Sequence, residues 1–200
     1  MNCNRLLLIL AALLVGMYIP VNGQIVTNEI SDVQVADSIR AEMDSRPYFG
    51  LYKDIYFVGG TVLGGNPDGY NSDVKFQISF QQRLTKSVLP GHTYLYLFYS
   101  QKAIWHVFRN SLPFYDLNFN PGVGISKYVI MKNRLLGKIT LMAEHESNGR
   151  DGTASRSWNK ISLAGEAYIS PSLMAHAKYW IPIVDGQYNS DILKYMGIYQ

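Results

Sequence analysis

The sequence holds a single cysteine, Cys3, few charged residues, and no long apolar run beyond residues 6–19. Each shortage excludes something. One cysteine permits no disulfide framework, and because Cys3 precedes the apolar run, the chain left after cleavage behind that run has no thiol nucleophile. Charged residues make up 16% of the chain against a usual figure of about 25%, and the net charge is +3 with no basic run longer than a dipeptide. Nucleic-acid binding by counterion release needs a concentrated positive surface, so that class is set aside. The 200 residues fit one domain, and an aromatic content of 13% excludes intrinsic disorder.

The N-terminus carries an address. Arg5 supplies a positive start, residues 6–19 supply the apolar stretch, and Val21-Asn22-Gly23 offers the cleavage site. A membrane-spanning helix needs about 20 apolar residues, whereas this run ends at Pro20 and Asn22. The reading is a signal peptide over residues 1–23 and one domain over residues 24–200.

Beyond it, period-two alternation recurs. Val74, Phe76, Ile78 and Phe80 alternate with Lys75, Gln77, Ser79 and Gln81. Residues 93–105, 138–147, 157–170 and 173–184 repeat the pattern, residues 192–200 begin another segment, and weaker candidates lie at 51–58 and around 123–131. Glycine, proline, asparagine and aspartate clusters separate them as turns. Alternation alone suits a soluble β-sandwich as well as a membrane barrel. The signal peptide, aromatic load and low charge favour an all-β, antiparallel transmembrane β-barrel with about eight strands present.

Polar residues concentrate between Glu144 and Asn159. Side chains two apart on a strand share a face, so His145 and Ser147 fall with Ile139, Leu141 and Ala143 on the apolar side, opposite Lys138, Thr140, Glu144 and Glu146. Asn159 shares parity with Ile161, Leu163, Ala167 and Ile169. In an antiparallel hairpin Asn159 then lies beside His145. A base next to a serine, oriented by an uncharged amide on a lipid-facing surface, is the arrangement for attacking an ester of the lipid itself. Gln101 shares the apolar side of its strand with Leu95, Leu97 and Tyr99, where an amide facing hydrocarbon calls for a partner, such as a second subunit.

The run His145-x-Ser147-Asn148-Gly149-Arg150, a short loop, then Ser155-Arg156-Ser157-Trp158-Asn159 resembles the signature of the outer membrane phospholipase A family. Further pieces agree: residues 74–80, Tyr99-Ser100-Gln101 followed by Trp105, Ser111-Leu112-Pro113-Phe114, and residues 194–200, so that the resemblance runs through essentially all of the mature chain. The resemblance implies an outer membrane enzyme with phospholipase A1 and A2 activity on glycerophospholipids and lysophospholipids. It implies Ser147 as nucleophile, His145 as general base, Asn159 as the residue orienting it, and the Gly149 amide with metal-bound water as oxyanion stabilisers. It also implies a calcium site from the Arg150 carbonyl, the Ser155 hydroxyl and, from a partner subunit, the Ser111 carbonyl, with Gln101 at the homodimer contact.

Two departures accompany it. Asp151 stands one place earlier than the acid of the family pattern. The family barrel has twelve strands, whereas this chain ends inside the segment matching the eighth and without a terminal aromatic, so the reading is a barrel incomplete at its C-terminus. The rival is a non-catalytic barrel, a pore or relic that keeps the motif.

Overall fold

The computed structural model describes residues 26–183, 189 and 191–200. Residues 1–23, read above as a signal peptide with Cys3 and the expected cleavage site, lie outside them. Two compact units divide at residue 34/35, and everything below concerns the second, residues 35–200, apart from the start of the first helix.

That helix, α1 (Val26–Ser45), has no counterpart among the expected elements. Eight strands follow: β1 (Phe49–Leu51), β2 (Tyr56–Thr61), β3 (Ser72–Arg83), β4 (Tyr94–Trp105), β5 (Phe114–Met131), β6 (Arg134–Ser147), β7 (Ser157–Ser170) and β8 (Leu173–Ile183). They form one antiparallel sheet in which β3 to β8 pair in chain order, while β1 and β2 both pair with β3. Among the described residues the two ends of the sheet do not pair, so it does not close. Two-residue turns at 132–133 and 171–172 join β5 to β6 and β7 to β8 at one end. Lys132 and Asn133 both adopt positive φ, 48° and 60°, as a mirror-image hairpin turn demands. The longer connections 62–71, 106–113 and 148–156 gather at the other end.

The expected strand at 51–58 is two short strands, because the chain leaves the ladder at Tyr52 and turns inward. The segment at 192–200 differs more. Leu193–Met196 forms α2, a single helical turn, and only the residues after Gly197 (φ 64°) run antiparallel to β8, through Tyr179↔Tyr199 and hydrogen bonds between Lys178 and Gln200. Positive φ at Gly197 breaks the extension that alternation there suggests.

Burial is inverted relative to a water-soluble sheet. On β6 and β7, Ile139, Leu141, Ile161 and Leu163 are exposed, whereas Lys138, Thr140, Glu144, Glu146, Lys160 and Ser162 are buried. Inward charges of β6, β7 and β8 are paired: Lys178 with Glu144 at 2.7 Å, Lys160 with Glu146 at 2.6 Å, and Lys138 with Glu166 at 3.0 Å. Glu144 also accepts from the Ser162 hydroxyl, and the Lys178 ammonium donates to the Tyr52 hydroxyl at 3.2 Å. A buried ion survives only when its remaining valences are met like this. The outward apolar parity is what hydrocarbon accepts.

At the end bearing the two-residue turns, the C-terminus of α1 is pinned to the sheet. The Arg83 guanidinium donates to the carbonyls of Met43, Asp44 (2.8 Å) and Arg46 (2.9 Å), satisfying orphan acceptors of the last turn. Asp44 accepts from both the amide (3.0 Å) and hydroxyl (2.7 Å) of Ser87. Burial alone would raise the Asp44 carboxyl's pKa, but the Ser87 hydrogen bonds and nearby Arg83 outweigh it and hold it below the usual carboxylate range.

Candidate active site

The ladder between β6 and β7 pairs His145 with Asn159 and Ser147 with Ser157. All four side chains point outward with Leu141 and Leu163. His145 Nδ1 and Asn159 Oδ1 are 2.9 Å apart. An amide oxygen can only accept, so Nδ1 carries the proton and Nε2 is left as the basic nitrogen.

Nε2 does not meet Ser147 in this conformation. The hydroxyl within reach of it is that of Ser157, at 3.4 Å, while Ser147 Oγ accepts from the Gly149 amide at 3.1 Å. Ser147 and His145 are thus placed on one face two residues apart, with no hydrogen bond between them. The Gly149 amide is aimed at the hydroxyl oxygen that the resemblance makes the nucleophile.

The backbone behind His145 is held from the inner side. Between the pairs Phe119↔Ser147 and Gly122↔Glu144, the β5–β6 ladder is interrupted opposite His145, where Pro121 has no N–H to give. Asn120 Nδ2 donates to the His145 carbonyl instead, at 2.8 Å. Sequence reasoning missed Asn120, although Asn-Pro-Gly inside an apolar segment is a sign that the ladder needs a substitute donor there.

The loop from Asn148 to Arg156 is organised by Asn148. Its Oδ1 accepts from the amides of Arg150 (3.2 Å) and Arg156 (2.9 Å), its Nδ2 donates to the Ala154 carbonyl at 2.9 Å, and its own amide donates to the Arg156 carbonyl at 3.0 Å. Gly149 has φ 66°, a backbone conformation that favours glycine, and a Cβ there would press on the Phe119 ring at 3.1 Å. Asp151 accepts from the Gly152 amide at 2.7 Å and starts a short 3-10 turn, Gly152–Ala154, which brings Ser155 back toward the sheet. Arg150 and Ser155 therefore belong to one closed loop. Ser111 lies in the separate 106–113 loop at the same end, exposed and at φ 64°. Arg150 Nη2 links the 148–156 loop to the start of β5 by donating to the Tyr115 carbonyl at 2.9 Å.

Across the ladders, Gln101, Phe119, Ser147 and Ser157 are successive partners on β4, β5, β6 and β7. Strands lie about 4.8 Å apart, so Gln101 is some 10 Å from Ser147 in the same outward row. Gln101 Oε1 accepts from the Tyr99 hydroxyl at 2.9 Å.

A family model for phospholipase A1 matches residues 63–200. The chain belongs to the phospholipase A1 family. The match contains every sequence piece that carried the resemblance, from residues 74–80 to residues 194–200. The phospholipase A1 of Salmonella typhimurium is 32% identical over 132 residues, covering 64% of this chain and 45% of that protein. The chain spans about half the length of the curated phospholipase A1 relatives it matches. Among solved structures, the calcium-bound dimer of the Salmonella typhi outer membrane phospholipase superposes with a TM-score of 0.65 at 26% identity, over 81% of this chain and 69% of that one. An active-site asparagine-to-alanine mutant of Escherichia coli outer membrane phospholipase A gives 0.64 at 25% identity, over 81% and 70%. The all-β antiparallel sheet seen here is the sheet of those phospholipase A1 family barrels.

Proposed function

We propose that this chain is a calcium-dependent phospholipase of the outer membrane, hydrolysing acyl esters of glycerophospholipids and lysophospholipids at the A1 and A2 positions as a homodimer. The observation that carries the reading is the His145–Asn159 hydrogen bond on the outward, apolar side of the sheet, with Ser147 two residues along the same face. A base whose unprotonated nitrogen faces lipid has one abundant ester within reach.

In the mechanism, His145 Nε2 takes the proton of Ser147 as its oxygen attacks the ester carbonyl, and returns it to the departing lysolipid oxygen, leaving an acyl-serine. The same nitrogen then takes a proton from a water that attacks the acyl-serine and returns it to Ser147 Oγ, releasing the fatty acid. Asn159 keeps Nδ1 protonated throughout and adds no charge to a low-dielectric surface. The Gly149 amide, which holds Ser147 Oγ at rest, would donate to the oxyanion that forms as that oxygen attacks the carbonyl. The Arg150 carbonyl, the Ser155 hydroxyl and the partner subunit's Ser111 carbonyl are hard, neutral oxygen donors suited to calcium. When bound there, calcium would add positive charge beside the developing oxyanion. Gln101, in the same outward row as Ser147, would contact the second subunit.

The test is fatty-acid release from phospholipid micelles by protein refolded in detergent. Ser147→Ala should lower it by at least about a thousandfold while heat-modifiable migration persists. Full activity in that variant would overturn the assignment. Asn159→Ala should be milder, by about 10–100-fold, since it costs one hydrogen bond to a group that becomes charged. Calcium should raise crosslinked dimer and activity together, and a chelator should reverse both.

A further inference from the structure

Ser157 has no role in the mechanism above, yet its hydroxyl is the one that reaches the base. β7 presents Ser157 and Asn159 two residues apart on one face, and they take the two nitrogens of the same ring: Asn159 Oδ1 at Nδ1, 2.9 Å, and Ser157 Oγ at Nε2, 3.4 Å. With Nδ1 protonated, Nε2 can only accept, so the Ser157 hydroxyl is the donor. The Ser157 backbone is itself fixed. It pairs with Ser147 in the ladder, and its carbonyl accepts from Asn189 Nδ2 at 3.0 Å.

We infer that Ser157 is a positioning residue for His145, holding the imidazole by Nε2 in the resting site so that its basic nitrogen stays in the row shared by Ser147 and Ser157. The inference rests on the phospholipase reading and adds a residue to it. A ring held at Nδ1 alone can still turn about its Cβ–Cγ bond, and a second bond on the opposite nitrogen removes that freedom. In the reacting form Nε2 exchanges one serine hydroxyl for the other. The two serines are cross-strand partners, whose Cβ atoms lie about 4.5–5.5 Å apart, so a small ring movement makes the switch. After proton transfer Nε2–H can donate back to Ser157 Oγ, giving the imidazolium a partner while Ser147 is acylated. A charge-assisted bond of that kind is roughly twice as strong as a neutral one.

The experiment compares the wild-type chain with Ser157→Ala and Ser157→Thr, all in detergent, by two readouts. The first is nitrogen NMR of histidine-labelled protein, with the His145 signals identified by their loss in His145→Gln. Ser157→Ala should move the Nε2 resonance toward that of a free imidazole nitrogen and leave Nδ1 in place, and Ser157→Thr, which keeps the hydroxyl, should restore it. An Nε2 resonance unchanged in Ser157→Ala overturns the inference whether or not the protein turns over substrate. The second is hydrolysis. Ser157→Ala should lower kcat about three- to tenfold at unchanged KM, with recovery in the threonine variant. An unaltered kcat, or a loss that threonine does not recover, also overturns it. Failure of the phospholipase reading looks different: no hydrolysis by wild type, with the Nε2 shift in Ser157→Ala still present.

Discussion

Strands β6 and β7 carry two surfaces of opposite character on one backbone. From Lys138 to the end of β6 and along β7, odd-numbered positions face outward, where aliphatic side chains surround His145, Ser147, Ser157 and Asn159. Even-numbered positions face inward, where Glu144, Glu146, Lys160 and Ser162 are buried and bonded. Charge is buried and the aliphatic side chains are not. The sheet thereby separates two tasks that compete in a soluble enzyme. The inner face fixes register through ion pairs, and the outer face is free to hold a polar trio whose geometry depends on that register, because a one-residue slip would turn His145 inward.

Breaking the inner face should have the largest effect on stability. Glu144→Gln leaves Lys178 buried without its carboxylate partner and should cost about 3–5 kcal/mol in denaturant unfolding from lipid vesicles, whereas Glu144→Met together with Lys178→Met should recover most of that loss. If the double variant were no better than the single one, the inner pairs would matter for more than charge compensation. Next comes the outer face. Leu141→Arg places a cation in hydrocarbon and should cost about 2–4 kcal/mol in the same assay, while Leu141→Met stays near neutral. A tolerated arginine would mean that this face does not meet lipid.

The smallest effect sharpens the contrast by leaving the strands altogether. The folded Asp44 carboxyl lies below its unfolded value, so its contribution to stability is complete above the ordinary carboxylate range and fades as pH falls through the depressed folded value. Asp44→Asn should therefore be less stable than wild type at neutral pH and should close the gap as the medium is acidified below about pH 4. A stability difference independent of pH would show that the Ser87 contacts act through packing and not through charge.

Parity made β6 and β7 legible in the sequence. The 157–170 segment matches the observed strand, and the outward placement of His145, Ser147 and Asn159 follows from which neighbours are apolar. β5 was legible only in its second half, around 123–131, while the fold runs the strand from Phe114 through Pro121-Gly122 to Met131. α1 was not legible at all. Its sequence carries no apolar stripe, and what anchors its C-terminal end is Arg83, 37 to 40 residues further along. The placement of the proposed site residues on one face was legible, but their bonding was not. Spacing puts His145 and Ser147 on one side of a strand, yet which hydroxyl the ring meets depends on cross-strand register, and that brought Ser157 to Nε2.

The Asn148-centred loop has a consequence for protein engineering. Two of the four bonds made by its side chain and amide go to Arg156, the last residue before β7, the other two go to Arg150 and Ala154 within the loop, and Arg150 provides a side-chain tether to β5. A connection that specifies its own shape is portable. Residues 145–159, transplanted onto the rim of another antiparallel barrel whose receiving hairpin keeps the same facing pairs, would carry the turn with them, so only the supporting Asn120-Pro121 segment and the tether's carbonyl would have to be rebuilt in the host.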